Sequence, residues 1–318
     1  MRIVILGAGA IGGVIAGHLA RAKREVHVIA RGKHLEAIRA NGLRVETPDT
    51  TFTVPIPTGP VEWRAGDVLL VAVKTQDLAD ALRELAAPVD VPILCMMNGV
   101  EAERIALRHT REVYGGCVMM PSTFMTPGVV QVWAAPVPGL FDIGRYPDGS
   151  GDGDAIAGEL IAAGFDVEVR ANVMKWKRGK LLANLMNGAE AMSGTAARTS
   201  ELADRAKAEA RAVFAAANLS CITDAEDAER RKPLQLKAIG NAKHGGGSTF
   251  QSLARGAGTL ETDYLNGEIA MLGRLHGIAT PVNEALQVLA AEAARTRAEP
   301  GALPLAELIT RVDRFATR

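Results

Sequence analysis

The chain has no surplus of charge of either sign, with Lys+Arg and Asp+Glu at 36 each. That removes the electrostatic motive for nucleic acid or an anionic membrane as a partner. Cysteine is scarce: Cys95, Cys117 and Cys221 are far apart and form no CxxC pair. Neither a disulfide framework nor a zinc cluster is written here, and the histidines (His18, His27, His34, His109, His244, His276) lack ligand spacing. No metal is expected, and a reducing cytoplasm is the expected compartment. Long apolar runs are missing too: no stretch reaches the ~20 residues of a membrane span. The apolar segment from Ile3 to Leu19 imitates a secretory signal. Yet Gly7, Gly9, Gly12, Gly13 and Gly17 interrupt it and only Arg2 precedes it, so it reads as folded structure.

What is present suits a globular enzyme-sized protein. The 318 residues are 48% hydrophobic and 23% charged, enough for about two domains with real cores. RIVIL (residues 2–6) is a short β-branched run and reads as a buried strand. It leads into GAGAIGG, then a stretch with Ile11, Ile15 and Leu19 at helical spacing, then a second strand VHVIA. This is a βαβ unit of about 30 residues. Within it, Gly7-x-Gly9-x-x-Gly12 matches the dinucleotide fingerprint. The first glycine makes the tight turn, the second lets backbone approach a pyrophosphate, and the third lets helix and strand pack closely. Gly7, Gly9, Ala10, Ile11 and Gly12 are therefore the candidate phosphate loop. A Gly turn in an unrelated α/β domain is the plainer reading, but strand, helix and second strand all sit where the fingerprint needs them.

The second strand ends in Ala30-Arg31-Gly32, where an NAD site usually carries an acidic residue for the ribose 2′-hydroxyl. Arg31, with Lys33 beside it, suits a 2′-phosphate instead and points to NADP(H); a solvated surface arginine is the alternative. DVLLVAV (67–73) runs into Lys74, and VPILCMM (91–97) runs into Asn98-Gly99. Ligands of open parallel sheets bind beyond the carboxyl ends of strands, so Lys74 and Asn98 are expected to rim the same crevice. Residues 113–144 read as further sheet, antiparallel in part, and Val167–Val169 as a last strand. Beyond about Arg170 the pattern turns Ala- and Leu-rich with a 3.6-residue period. The predicted architecture is α/β: a Rossmann dinucleotide-binding domain over 1–170, followed by an all-helical domain over 171–318, with a cleft between them for a substrate. The Ala-rich helices can pack against a second copy, and a homodimer is the commonest closed assembly.

KWKRGKLLANLMNG (175–188) raises a chemical question. On a continuous helix Lys180, Asn184 and Asn187 fall at i, i+4 and i+7 and share a stripe. A carbonyl receiving hydride needs a proton and a positive field at its oxygen, and an acid substrate needs neutral donors for its carboxylate. Lys180 with the two amides supplies both. The bland alternative is a half-exposed face with snorkelling lysines, and Lys177, three residues earlier, is a rival proton donor. Ser248 stands in a capping-box pattern with Gln251, and Glu261 on a helix is expected to be solvated.

The chain resembles the ketopantoate reductases (2-dehydropantoate 2-reductases). The likeness rests on GAGAIGG, ARGKHLEAIRANGL, AVKTQD, MNGVE, KLLANLMN, STFQSLARG and ETDYLNGEIAMLGRLHGIATP in that order. It implies a Rossmann domain followed by a helical one, and reduction of 2-dehydropantoate to (R)-pantoate with NADPH on the route to coenzyme A. By resemblance Lys180 is the general acid and Glu261 its acidic partner. Asn98, Asn184 and Ser248 contact substrate, Arg31 the 2′-phosphate, and Lys74 the cofactor. The family's second asparagine stands eight residues after the lysine, where this chain has Gly188, with Asn187 one earlier. On an ideal helix Asn187 lies about 20° from Lys180 and position 188 about 80°. That shift leaves reduction of another 2-oxo acid or an opine-type imine as an alternative; a non-catalytic NADP(H)-sensing protein is a third reading, against which Lys180 counts, because a sensor has no need of a proton donor.

Overall fold

The computed structural model describes residues 1–147, 153–241 and 246–316. The strands are β1 (Arg2–Leu6), β2 (Val26–Ile29), β3 (Leu43–Glu46), β4 (Thr51–Val54), β5 (Asp67–Val71), β6 (Ile93–Cys95), β7 (Val113–Met119), β8 (Ser122–Thr126), β9 (Val129–Val132), β10 (Leu140–Tyr146) and β11 (Asp166–Val169). Five helices lie among them: α1 (Ala10–Arg21), α2 (Gly32–Asn41), α3 (Thr75–Leu85), α4 (Ala102–Ala106) and α5 (Gly153–Ala162). After β11 come α6 (Val173–Asn184), α7 (Asn187–Ser193), α8 (Glu201–Ala216), α9 (Asp224–Arg231), α10 (Ser248–Ala254), α11 (Asn266–His276), α12 (Pro281–Arg295) and α13 (Leu305–Ala316). This is the predicted α/β class, with its helical second half. Thr280 stands at the cap position of α12 and Pro281 opens it, where the missing proline N–H costs no helix bond.

Seven strands form one sheet in the order β11-β10-β7-β6-β5-β1-β2. From β2 through β7 the neighbours are parallel; β10 runs antiparallel to β7. The chain leaves β1 toward β2 on one side and returns to β5 on the other, so the strand order reverses at β1. That reversal opens a crevice at the carboxyl ends of β1 and β5. The apolar segment that resembles a signal is spent on this core: Ile3, Ile5, Val14, Ile15 and Leu19 are essentially inaccessible.

A second sheet, order β4-β3-β9-β8, was not predicted. Its strands β3 and β9 pair in parallel, Val45 opposite Val130, and both side chains join the core cluster that holds Val14 and Ile15 of α1. Helix α1 is therefore covered on two sides.

The chain forms two compact units: Met1–Lys177 with Asp224–His244, and Arg178–Thr223 with Gly245–Arg318. A single cut at 170/171 takes no account of residues 224–244. Their attachment to the first unit has a clear cause. Arg230 of α9, nearly inaccessible, donates to Asp142 Oδ1 at 3.1 Å, Asp166 Oδ1 at 2.9 Å and Phe141 O at 3.2 Å. Lys175 reaches Glu226 at 2.7 Å, and the backbone of Gln235 and Lys237 bonds to Ala135 and Trp133.

Candidate functional site

In the first unit the parallel register brings the expected strand ends together. Leu6 is level with Ile29 and Val71, and Val71 with Cys95. Gly7, Arg31, Lys74 and Asn98 therefore follow four neighbouring strands at one sheet edge. Gly7 has φ +99°, and a Cβ there would meet Ala72 O at 2.9 Å, so the turn requires glycine. A Cβ at Gly12 would lie 2.0 Å from Gly7 O, which forces the close approach of α1 to the turn. Gly9 is different: beyond its immediate chain neighbours, no atom of the described residues lies within 4 Å of its Cβ position. Room is left there for a ligand. Gly9 is also the cap of α1, with no side-chain cap and no acidic residue in the first turn, so the helix end faces that room with its positive pole.

Arg31 caps α2 and donates to Glu84 Oε2 at 2.8 Å, with both side chains about 70% exposed. Such a surface pair contributes at most ~1 kcal/mol and yields readily to a stronger anion. Lys74 is the cap residue of α3 and is half-buried, as is Asn98.

Lys177 is buried. Its Nζ lies 2.5 Å from Glu103 Oε1 and 3.1 Å from Met97 O, with the two side chains 2% and 0% exposed. Burial pushes the Glu103 carboxyl above its ordinary range, and the adjacent ammonium opposes the shift. The pair ties α6 and α4 to the backbone just before Asn98. Lys177 is thus a buried cation bonded to the Glu103 carboxylate and the Met97 carbonyl.

In the second unit Lys180 and Asn184 lie on α6, both half-buried. The predicted single stripe is interrupted. α6 ends at Asn184, Leu185 and Met186 form a turn, and Asn187 opens α7. The helical angles expected for Asn187 therefore do not hold. Its amide is buried, and Oδ1 accepts from Arg198 Nη2 at 2.8 Å. The same nitrogen pairs with buried Glu190 at 2.5 Å, and Arg198 Nη1 donates to Ala183 O at 3.3 Å. A Cβ at Gly188 would sit 3.0 Å from Ala290 Cβ and 3.2 Å from Thr262 Cγ2. Position 188 is thus packed against α12 and Thr262, with little room for a larger side chain. Ser248 is exposed at the first residue of α10. Gly247 is the cap and no side-chain cap bond forms, so the expected capping box is absent. Gly247 lies against Glu190 and Arg198, its Cβ position 3.2 and 3.4 Å from them. Glu261 begins a 3₁₀ turn to Tyr264 rather than a helix, and is half-buried rather than solvated. Sequence reasoning missed Glu103, 74 residues from Lys177, and the pair of Glu190 and Arg198, 8 residues apart, with Asn187 11 residues from Arg198; none of these separations follows a local period.

Residues 3–148 match the family described as ketopantoate reductase PanE/ApbA, and residues 172–294 match its C-terminal domain. The chain belongs to the ketopantoate reductase family. Among its relatives, the 2-dehydropantoate 2-reductase of Archaeoglobus fulgidus is 31% identical over 297 residues, 90% of this chain and 95% of that protein. The Pyrococcus horikoshii 2-dehydropantoate 2-reductase is 31% identical over 186 residues, so this chain spans 61% of that protein's length. A ketopantoate reductase family structure from Ralstonia eutropha JMP134 superposes with TM-score 0.78 at 29% identity, covering 93% of this chain and 99% of that one. D-mandelate dehydrogenase, solved with NADH and anilino(oxo)acetate, superposes with TM-score 0.79 at 22% identity over 94% and 100% of the two chains, and shares the fold. Among the described residues of this ketopantoate reductase family member, no helix is long and apolar enough to cross a membrane.

Proposed function

We propose that this protein reduces 2-dehydropantoate to (R)-pantoate with NADPH. The observation that carries the reading is the strand register that puts Gly7, Arg31, Lys74 and Asn98 at one edge of the parallel sheet of a ketopantoate reductase family member. The open room at Gly9 and the unopposed end of α1 fit a dinucleotide pyrophosphate, received by the Gly7–Gly12 turn with Ala10 and Ile11. Arg31 takes the 2′-phosphate in exchange for Glu84, and Lys74 holds the cofactor side. NADPH, when bound, supplies a hydride to the C2 carbonyl carbon. Lys180 then gives its proton to the oxygen, so the ketone becomes an alcohol and the lysine is left neutral until solvent reprotonates it. Glu261 is the acidic partner of that lysine. Asn98, Asn184, Asn187 and Ser248 hold the acid through donors that bring no competing charge.

The test is NADPH oxidation with 2-dehydropantoate and a panel of other 2-oxo acids. Lys180→Ala should keep NADPH affinity within about twofold and lose at least ~100-fold in kcat, because the proton is needed only in the transition state. Turnover of no 2-oxo acid defeats the proposal. The placement of Asn187 on α7, tied to Arg198, favours a second reading in which another branched 2-oxo acid has the highest kcat/KM in the same panel.

A further inference from the structure

His34 has no part in the reading above. It lies on α2, half-buried, with its ring tilted against Phe124 at a centroid distance of 4.4 Å. Both ring nitrogens are bonded. Nε2 is 2.7 Å from Ala8 O, and Nδ1 is 2.9 Å from the backbone N of Gly128. A carbonyl can only accept and a peptide N–H can only donate. The two contacts therefore assign the ring uniquely: a neutral imidazole, protonated on Nε2, accepting at Nδ1. Burial lowers its pKa and so favours that neutral form.

The position of the two partners gives this bond pair its meaning. Ala8 is the middle residue of Gly7-Ala8-Gly9. In a trans peptide the C=O of Ala8 and the N–H of Gly9 point in opposite directions. A donor that holds Ala8 O toward α2 therefore turns the Gly9 N–H away from α2 and sets the plane of the peptide leading into α1. The second partner, Gly128, lies in the turn between β8 and β9, and its own carbonyl accepts from Arg44 N of β3 at 2.9 Å. One side chain thus ties the turn after β1 to the second sheet. Gly7 and Gly9 are conformationally permissive, and Gly9 has open space beside it. A turn of that kind needs an external restraint if it is to hold one shape before a ligand arrives.

We propose that His34 is a positioning residue for the dinucleotide: its Nε2–H locks the Gly7-Ala8-Gly9 turn in the shape that receives the pyrophosphate, and its Nδ1 anchors that lock to the β8–β9 turn. The inference rests on the dinucleotide reading of the Gly turn, but not on the identity of the acid substrate.

Two isosteres separate the two bonds. The amide nitrogen of Gln reaches the place of Nε2, and the amide oxygen of Asn reaches the place of Nδ1. His34→Gln therefore keeps the Ala8 bond, His34→Asn keeps the Gly128 bond, and His34→Leu keeps neither. NADPH and NADH affinities are measured by calorimetry, alongside Tm and steady-state kinetics. The expected result is a Kd for NADPH within about threefold of wild type in the Gln variant and raised ~10-fold or more in the Asn and Leu variants, the scale of one well-placed hydrogen bond. KM for NADPH should follow Kd, with kcat at saturating NADPH and KM for the oxo acid unchanged. Should Leu not fold, the Gln and Asn pair decides the matter alone. Equal Kd values in Gln and Asn, or a Kd that merely follows the loss of Tm, would make His34 a packing residue and overturn the proposal. A wild-type protein that binds neither NADPH nor NADH overturns the dinucleotide reading and this inference together. One that binds them yet reduces no oxo acid overturns only the substrate assignment.

Discussion

At the scale of single residues, Asn187 offers the sharpest test of the acid site. Its Oδ1 is engaged by Arg198, a group with no acceptor, so the amide orientation is determined and the NH₂ is the donor that remains. Asn187→Asp retains an oxygen for Arg198, so the fold should survive. It also replaces the donor by a second carboxylate oxygen, which repels an acid substrate. We expect KM for the oxo acid to rise at least ~10-fold with KM for NADPH unchanged, because like charges brought together at a binding site cost several kcal/mol. A KM within twofold of wild type removes Asn187 from the substrate's surroundings. Arg198 itself carried no signal along the chain. It acquires significance only because α7, the 3₁₀ turn from Thr195 to Thr199 and the start of α10 converge on it.

At the scale of elements, the turn between β1 and α1 separates folding from binding. Gly9 has φ −67°, a value any residue adopts, and an empty Cβ position. Gly9→Ala should leave stability unchanged or raise it by up to about 1 kcal/mol, while weakening dinucleotide binding through the bulk it places beside the ligand. Gly12→Ala drives a methyl into the Gly7 carbonyl and should cost about 3 kcal/mol or more, since backbone cannot move aside as a side chain can. Urea titrations of both variants beside NADPH calorimetry check this. If the two variants behave alike in both measurements, the distinction between a structural and a ligand-facing glycine fails.

At the scale of the whole molecule, stability should depend on pH through His18. Its ring lies between Phe52 and Phe165, and Nδ1 meets Ala163 O at 3.3 Å. Nε2 is buried with no partner among the described residues. Burial lowers its pKa from 6.5 to about 4. The unfolded chain therefore takes up a proton first as the pH falls. The stabilisation is complete above the unfolded value and is lost between about pH 6.5 and 4, up to a total on the order of 3 kcal/mol. Glu159 acts in a lower window: the bond from Arg24 holds its carboxyl below the usual range, so its contribution disappears only as the pH falls through that lower value. Denaturant midpoints followed from pH 7 to pH 4 should slope downward in wild type and flatten in His18→Phe, which keeps the aromatic packing. An unchanged slope would place the titrating group elsewhere.

Local pattern alone determined the β-turn-α-β unit with its Gly7–Gly12 turn, the strand ends bearing Arg31, Lys74 and Asn98, and the helical second half. Each of these depends on neighbours within one turn or one strand, where hydrophobic period and glycine sterics operate. Tertiary structure decided the rest. The second sheet needs β3 to pair with β9, more than 80 residues on, through strands of four residues whose alternation is too short to read. The return of residues 224–244 to the first unit hangs on Arg230 finding Asp142. The break after Asn184 removes the continuous stripe, and Lys177 is buried against Glu103. Sequence periodicity cannot report these, because a buried charge or a chain break is set by what packs against it from a distant part of the chain.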